Sequence, residues 1–293
     1  MSDGGVADSS TFDVRYVAAR RVLLDALTAL MPHGPAVIVV GAQAIYLRTG
    51  TADLSVTVAP FTTDADLALD PDRLGDHPTL TATMIGAGFV PRQGSGGHPE
   101  PGIWVGSTQV DGVNFDVPVD LIVPEAAAGG GRRGARLGVH GNRAARRAVG
   151  LEAALVDYGE LMIAALEPED GRSITANVAG VAALLVAKLH KLHDRVASGK
   201  RERADDKDAA DVIRVMQSTS PAEVGATIAY LRQSGSAGPV TIQAVDYLRE
   251  LFGGRGRTGV QMAASALRLG MPEDAVTTLS VAYTAALLTV ISN

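Results

Sequence analysis

Thr62-Thr63-Asp64-Ala65-Asp66-Leu67 is the segment whose residue types could do chemistry. Side chains on a strand alternate between faces, so Asp64 and Asp66 point the same way and both carboxylates can close on one cation. A third acid, Asp120, sits in the strand-like run from Phe115 to Val123, among Val117, Val119, Leu121 and Ile122. A charge inside such a run is costly unless it is paired or holds a metal. Upstream, the apolar run Ala36 to Val40 breaks at Gly41 into a helical stretch that begins Ala42-Gln43. A helix N-terminus entered from a buried strand offers free N–H groups and the positive end of the helix dipole, which together suit phosphate. Three carboxylates beside such a turn are the parts for metal-assisted phosphoryl transfer, with Asp64, Asp66 and Asp120 as candidate ligands of two Mg2+ ions. A D-x-D pair is a short pattern, and an acidic solvent-facing strand end reads the same way.

The basic residues are distributed unevenly. All four lysines fall at 188, 191, 200 and 207, whereas the arginines are spread throughout. In AKLHKLHDR, Lys188, Lys191 and Arg195 share one helical face, with Leu185, Leu189, Leu192 and Val196 on the other. Lys207, Asp208 and Asp211 follow on the next helix. The bland reading of this pair is a surface ion-pair lattice, which contributes little stability. A second basic cluster comprises Arg132, Arg133, Arg136, Arg143, Arg146 and Arg147 with His140, in a Gly-rich setting without an acid. It reads as a solvated loop, or as a contact for the phosphate backbone of an RNA acceptor. His190 and His193 lack a third partner and read as surface histidines. Trp104 and Phe115 read as core.

The positioning elements are legible from apolar period and turn punctuation. A helix is expected over Thr11 to Leu30, stopped by Pro32 to Pro35, then the buried strand Ala36 to Val40 and a short helix Ala42 to Leu47. The D-x-D strand ends at Asp70-Pro71, and Thr79 to Gly88 reads as a poorly capped helix. Ile103 to Val110 and Val113 to Val123 form a hairpin through Asp111-Gly112, with Pro118 placing the second strand at an edge or a bulge. Short runs follow at Leu151 to Val156, Glu160 to Leu166 and Ser173 to Val178. Helices are then expected at Gly180 to Ala197, Arg203 to Met216, Pro221 to Ser234 and Val240 to Phe252, with two more after Gly259. The expected architecture is an α/β (α+β) mixed sheet flanked by helices over 1–178, then an α-helical domain over 179–293 that lends Lys188 and Asp211 to the cleft.

Composition narrows the classes. The absence of cysteine rules out disulfides, thiolate zinc sites and a cysteine nucleophile. A net charge of −6 argues against bulk coating of nucleic acid. The polar, acidic N-terminus is unlike a signal peptide, and no stretch reaches the roughly 20 uninterrupted apolar residues of a membrane helix. A soluble, cytoplasmic protein with a frayed N-terminal tail is expected.

Strand-Gly-helix, then D-x-D on the next strand, then a third Asp on a later strand resembles the nucleotidyltransferase superfamily (polymerase-β-like fold). K-L-h-x-x-x-x-R followed by K-D-x-x-D narrows the likeness to the AbiEii/AbiGii-type toxin branch, which includes the MenT toxins of mycobacteria. The resemblance implies an enzyme that moves a nucleoside monophosphate from an NTP to an acceptor hydroxyl with Mg2+, as the toxin of a toxin–antitoxin pair acting on tRNA 3′ ends. It implies catalytic roles for Asp64, Asp66, Asp120, Lys188 and Asp211, with Lys188 on phosphate and Asp211 closing the site. Nucleotide contacts would come from Gly41, Ala42, Gln43, Thr63, Lys191, Arg195, Lys207 and Asp208. Thr62 or Thr63 occupies the place of a regulatory hydroxyl in some relatives, and a cognate antitoxin is an implied partner. The chain departs from the family in its Gly41-Ala42 turn, which lacks a hydroxyl that Gln43 or Thr49 could replace. The spacing from Gly41 to Asp64 is also long, so 51–61 reads as an inserted flap. Two other readings use the same residues: a small-molecule (antibiotic-type) nucleotidyltransferase, and a catalytically degenerate fold acting as a binding module.

Overall fold

A computed structural model describes residues 12–50, 61–129, 132–199 and 206–292. The expected N-terminal tail, nearly all of the expected flap and the start of the helix expected from Arg203 therefore lie outside the described residues. The first helix, α1 (Val14–Ala29), is capped by Asp13, whose carboxylate accepts from the Arg15 N–H, and it gives way to a 3-10 turn at the prolines. Strand β1 (Val37–Val40) runs directly into α2 (Gly41–Thr49), and β2 (Ala65–Leu69) follows. Helix α3 (Leu80–Gly86) has a cap after all: the Thr79 hydroxyl accepts from the Ala82 N–H.

The expected hairpin is present as β4 (Pro99–Val110) and β5 (Val113–Pro124), with β3 (Val90–Gln93) beside β4. Asp111 and Gly112 both have positive φ, as a tight two-residue turn requires. Strands β6 (Arg146–Ala148), β7 (Tyr158–Ala164) and β8 (Ser173–Ala179) complete an eight-stranded mixed sheet ordered β3-β4-β5-β2-β1-β8-β7, with β6 paired to β5. The run at Leu151 to Val156 is a 3-10 turn instead of an extended segment. Pro118 falls where β5 is locally an edge, as expected from its missing N–H. Pairing of β5 with β2 starts only at Val119, so at Pro118 the strand has β4 alone as a neighbour.

Strand β6 takes over where β4 leaves. Ile122 is registered with Ala68 of β2 on one side and with Arg146 of β6 on the other, the side that β4 occupies up to Asp120. Gly102, at φ +73, makes this exchange of neighbours feasible: a Cβ there would lie 2.1 Å from the Arg146 nitrogen and 2.7 Å from the Leu121 carbonyl. Its own N–H donates to Arg143 at 2.9 Å.

From the end of β8 onward the described residues are helical. Helices α4 (Val181–Ser198), α5 (Lys207–Ser218), α6 (Pro221–Leu231), α7 (Ala237–Phe252), α8 (Thr258–Leu267) and α9 (Glu273–Ser292) pack on one another, and α4 and α5 also pack on α2. Among the described residues, α9 is long and apolar enough to cross a membrane by length and composition. One face of it, including Val276, Ser280, Tyr283, Leu287 and Ile291, is buried, and the helix packs on α6 and α8. Trp104 is core, its indole N–H donating to the Ala144 carbonyl, and Phe115 packs against the core from a half-buried position.

Gly102→Ala should cost about 2 kcal/mol or more, because both the backbone conformation and the close approach of β6 resist a Cβ. Urea unfolding would measure it, and a variant within about 0.5 kcal/mol of wild type would show that β6 can shift freely.

Candidate active site

One transverse row of the sheet forms the floor of a cavity of about 630 Å³. Ile103 of β4 is registered with Asp120 of β5, Asp120 with Asp66 of β2, and Asp66 with Val40 of β1. Residues directly opposite across neighbouring strands project to the same face, and all four line the cavity. Gly41 lies at the end of this row, where α2 starts at φ +71 with no side chain capping its N-terminus. A Cβ on Gly41 would stand 2.1 Å from Asp66 Oδ2, so only glycine lets the carboxylate lie against the helix start.

Asp64 stands just ahead of β2. Its Oδ1 accepts from the Thr62 hydroxyl, and its backbone carbonyl accepts from the Gln43 amide at 3.1 Å. Gln43 is buried and fully engaged: it also donates to the Ala19 carbonyl and accepts from Arg20 Nε. It therefore holds the Asp64 segment, and it is not among the residues that line the cavity. Ala42 is buried, Thr49 donates to Ile45 within its own helix, Thr62 is fully buried and Thr63 is exposed.

Helix α4 supplies one wall. Leu184, Ala187, Lys188, Lys191 and Asp194 recur at helical spacing and line the cavity. The two lysines differ sharply. The Lys188 side chain is 7% exposed and its ammonium donates to Asp208 Oδ1 at 2.5 Å and Asp211 Oδ2 at 2.7 Å. Lys191 is 49% exposed and reaches Asp208 at 3.2 Å. Asp208 is fully buried and also takes Arg195. Burial alone would raise the Asp208 carboxyl, but Lys188, Lys191 and Arg195 outweigh it and hold it well below the usual range. Burial would likewise lower Lys188, and Asp211 and Asp208 reverse that. The bland alternative of a surface lattice does not hold, because the cluster is buried. Asp211 is buried with it, and Lys207 is half-buried at the start of α5.

The Arg-rich stretch forms the opposite wall, which was not legible from sequence. Arg132, Arg133, Arg146 and Arg147 all line the cavity. Two of them meet acids, one on β5 and one in the 3-10 turn just after it. Arg146 donates from Nε at 3.0 Å and Nη2 at 2.5 Å to Asp120 Oδ2, and Arg147 grips both oxygens of Glu125. Arg146 sits on a strand of three residues, too short to leave a period. Glu100, Glu125 and Asp194 also line the cavity, though nothing in their spacing marks them. His140 does not belong to the basic patch. It is buried, accepts from the Leu80 N–H through Nδ1 and bonds the Gly75 carbonyl through Nε2; burial lowers its pKa and the Gly75 carbonyl opposes that in part. His190 is also buried, bonded to the Val240 carbonyl, and His193 stacks on Tyr247.

Burial pushes the Asp66 carboxyl up to about 6, and the negative charges of Asp64 and Asp120 push the same way. Among the described residues, no three His, Asp or Glu side chains already form a metal cage. Mg2+ at phosphate sites needs less than a cage, since it keeps water and takes one or two carboxylates with the substrate's phosphates. Asp66 beside Asp120 meets that requirement, and the cost of leaving Asp66 ionised is what a cation would relieve.

Two consequences are measurable. The folded carboxyl of Asp66 titrates above its ordinary value, so the fold gains from its protonation below about pH 4 and loses that gain as pH rises through about 6. Without divalent cations, the Tm of Asp66→Asn relative to wild type should therefore be higher at pH 8 than at pH 4.5; an unchanged difference would refute the shift. Lys188→Met should cost about 3 kcal/mol in urea unfolding, because it takes the ammonium from buried Asp211 and leaves Asp208 to Arg195 and Lys191, and a loss below about 1 kcal/mol would mean the cluster is solvated.

Comparison with protein-family models and with curated proteins finds no match to this chain.

Proposed function

We propose that the protein is a metal-dependent nucleotidyltransferase that moves a nucleoside monophosphate from an NTP to an acceptor hydroxyl and releases pyrophosphate. The observation that carries this reading is the pairing of Asp66 with Asp120 on adjacent strands, at the floor of a cavity that also receives the start of α2. Mg2+ held by Asp66 and Asp120, with Asp64 adding negative charge nearby, would neutralise the triphosphate and the charge that develops at the leaving oxygen. Phosphates lie against Gly41, where the helix dipole and uncapped N–H groups favour them.

The resemblance puts Lys188 on phosphate. In this proposal the half-exposed Lys191 takes that contact, because the Lys188 ammonium is committed to Asp208 and Asp211 and secures the two helices against each other. Asp211 is then an internal counter-ion. Asp120 accepts the proton of the attacking hydroxyl once its own partner has moved. Exposed Arg132 and Arg133 at the cavity wall supply positive charge for a polyanionic acceptor. An RNA 3′ end, tRNA in the toxin reading, is the acceptor that fits them. The toxin role, and a cognate antitoxin, are part of this proposal and rest on the sequence resemblance.

A binding module without turnover is the second reading. The contact of Arg146 with Asp120 favours it, because a paired carboxylate is not ready for a metal.

Incubation with Mg2+, each α-32P-labelled NTP and total tRNA separates these readings. Labelled RNA that disappears with EDTA and falls by about a thousandfold or more in Asp66→Asn and Asp120→Asn is the expected result. Nucleotide binding without label on RNA or on any small acceptor would leave the binding module.

A further inference from the structure

We infer that Arg146 is a displaceable counter-ion of the acidic pair: a divalent cation arriving at Asp66 and Asp120 evicts it from Asp120, and the freed guanidinium turns to anionic groups of the ligand in the cavity. This inference rests on the carboxylate site proposed above.

The geometry points to it in three ways. First, Arg146 spends its Nε and Nη2 on a single oxygen, Asp120 Oδ2, instead of bridging both carboxylate oxygens as Arg147 does on Glu125. An arginine fork on a carboxylate is strongest when two parallel bonds use both oxygens. Second, Arg146 is anchored by its backbone, not by its head group. Strand β6 pairs with Ile122 to Pro124, and Gly102 seats its nitrogen, so the side chain can move while the strand stays. The side chain is 31% exposed and borders the cavity. Third, the site as it stands balances charge with protein cations. Arg146 is bonded to Asp120, and Lys191 lines the same cavity as Asp66. A divalent ion on the two carboxylates would make Arg146 surplus and would repel it. The nearest favourable place is then beside Arg132 and Arg147, against ligand phosphate.

The exchange prevents two like-charged carboxylates from lying unpaired when no ligand is present, and it couples metal arrival to the appearance of an anion-binding group. It predicts opposite signs for one substitution, which a purely structural residue would not produce.

Mn2+ alone, counted as free ion by electron paramagnetic resonance, is the first probe; ATP in EDTA is the second. Arg146→Met should bind Mn2+ about tenfold more tightly than wild type, because the competitor is gone. The Mn2+-loaded Arg146→Met protein should hold a nonhydrolysable ATP analogue about tenfold more weakly than Mn2+-loaded wild type. In EDTA, where Arg146 stays on Asp120, ATP affinity should be the same in both. Arg146→Lys, which keeps the charge with one donor group, should fall between. Placing Arg146→Met in an Asp120→Asn background should remove its effect on Mn2+, a comparison that holds even if the single variant is less stable. Equal or weaker Mn2+ binding by Arg146→Met overturns the inference while leaving the site reading intact, provided Asp66→Asn lowers Mn2+ affinity. If Asp66→Asn binds Mn2+ as well as wild type, the carboxylate site falls and the inference with it.

Discussion

Two carboxylates placed side by side on adjacent strands, facing the same way, repel each other, and much of the surrounding structure compensates for that repulsion. Asp66 and Asp120 cannot be moved apart without shifting the register of β2 on β5, which would turn every core side chain of one strand to the other face. Compensation therefore comes from outside the sheet. Gly41 brings the start of α2 against Asp66, Arg146 bonds Asp120 from β6, and α4 brings Lys191 over the same floor. Each contribution depends on a local feature: a bare Cα at Gly41, a strand exchange at Gly102, and a helix whose cavity face carries lysine.

The Lys188, Asp208 and Asp211 cluster works on a different scale. Taking three charges out of water costs several kcal/mol per ion, and their mutual attraction mostly offsets that cost instead of adding stability. Its effect is geometric. Lys188 on α4 can be satisfied only if α5 presents Asp208 and Asp211 at one spacing, so the register between these helices is set by charge. Since α4 also carries Lys191 to the cavity, an error in that register would displace the wall of the site. A buried salt-bridge cluster can thus position a site without touching a ligand, and Gln43, buried between Arg20 and the Asp64 carbonyl, does the same from the other side.

Periodicity and turn chemistry made most elements legible. The α1 period, the Val37 to Val40 run, the Asp111-Gly112 hairpin and the helical pattern after residue 179 each follow from interactions between residues close in the chain. The acids were legible too, because a charge in an apolar strand is costly wherever the strand packs. Less legible were partners distant in sequence. Nothing within Ala144-Ala145-Arg146-Arg147 indicates that Arg146 will meet Asp120, 26 positions earlier. Likewise His140 and His190 look like surface groups because their partners, Leu80 and Val240, lie 60 and 50 positions away.

The sequence by itself determined most of the longer strands and helices, where the sheet gives way to helices, and which residues carry removable protons and fixed charge, though not the short strands β3 and β6 or the 3-10 turn at Glu152 to Leu155. Local torsional preference, apolar period and the cost of burying charge act over a few residues, so they are written in short stretches of chain. Only the tertiary structure decided which charges oppose which: that the Lys188 ammonium is buried on Asp208 and Asp211 while Lys191, one turn later, stays half-exposed at the cavity, and that four of the six arginines of the loop form a wall beside Asp120. Those outcomes depend on desolvation and on distances between segments far apart in sequence, and both come into existence only when the sheet and the helices close around the same space.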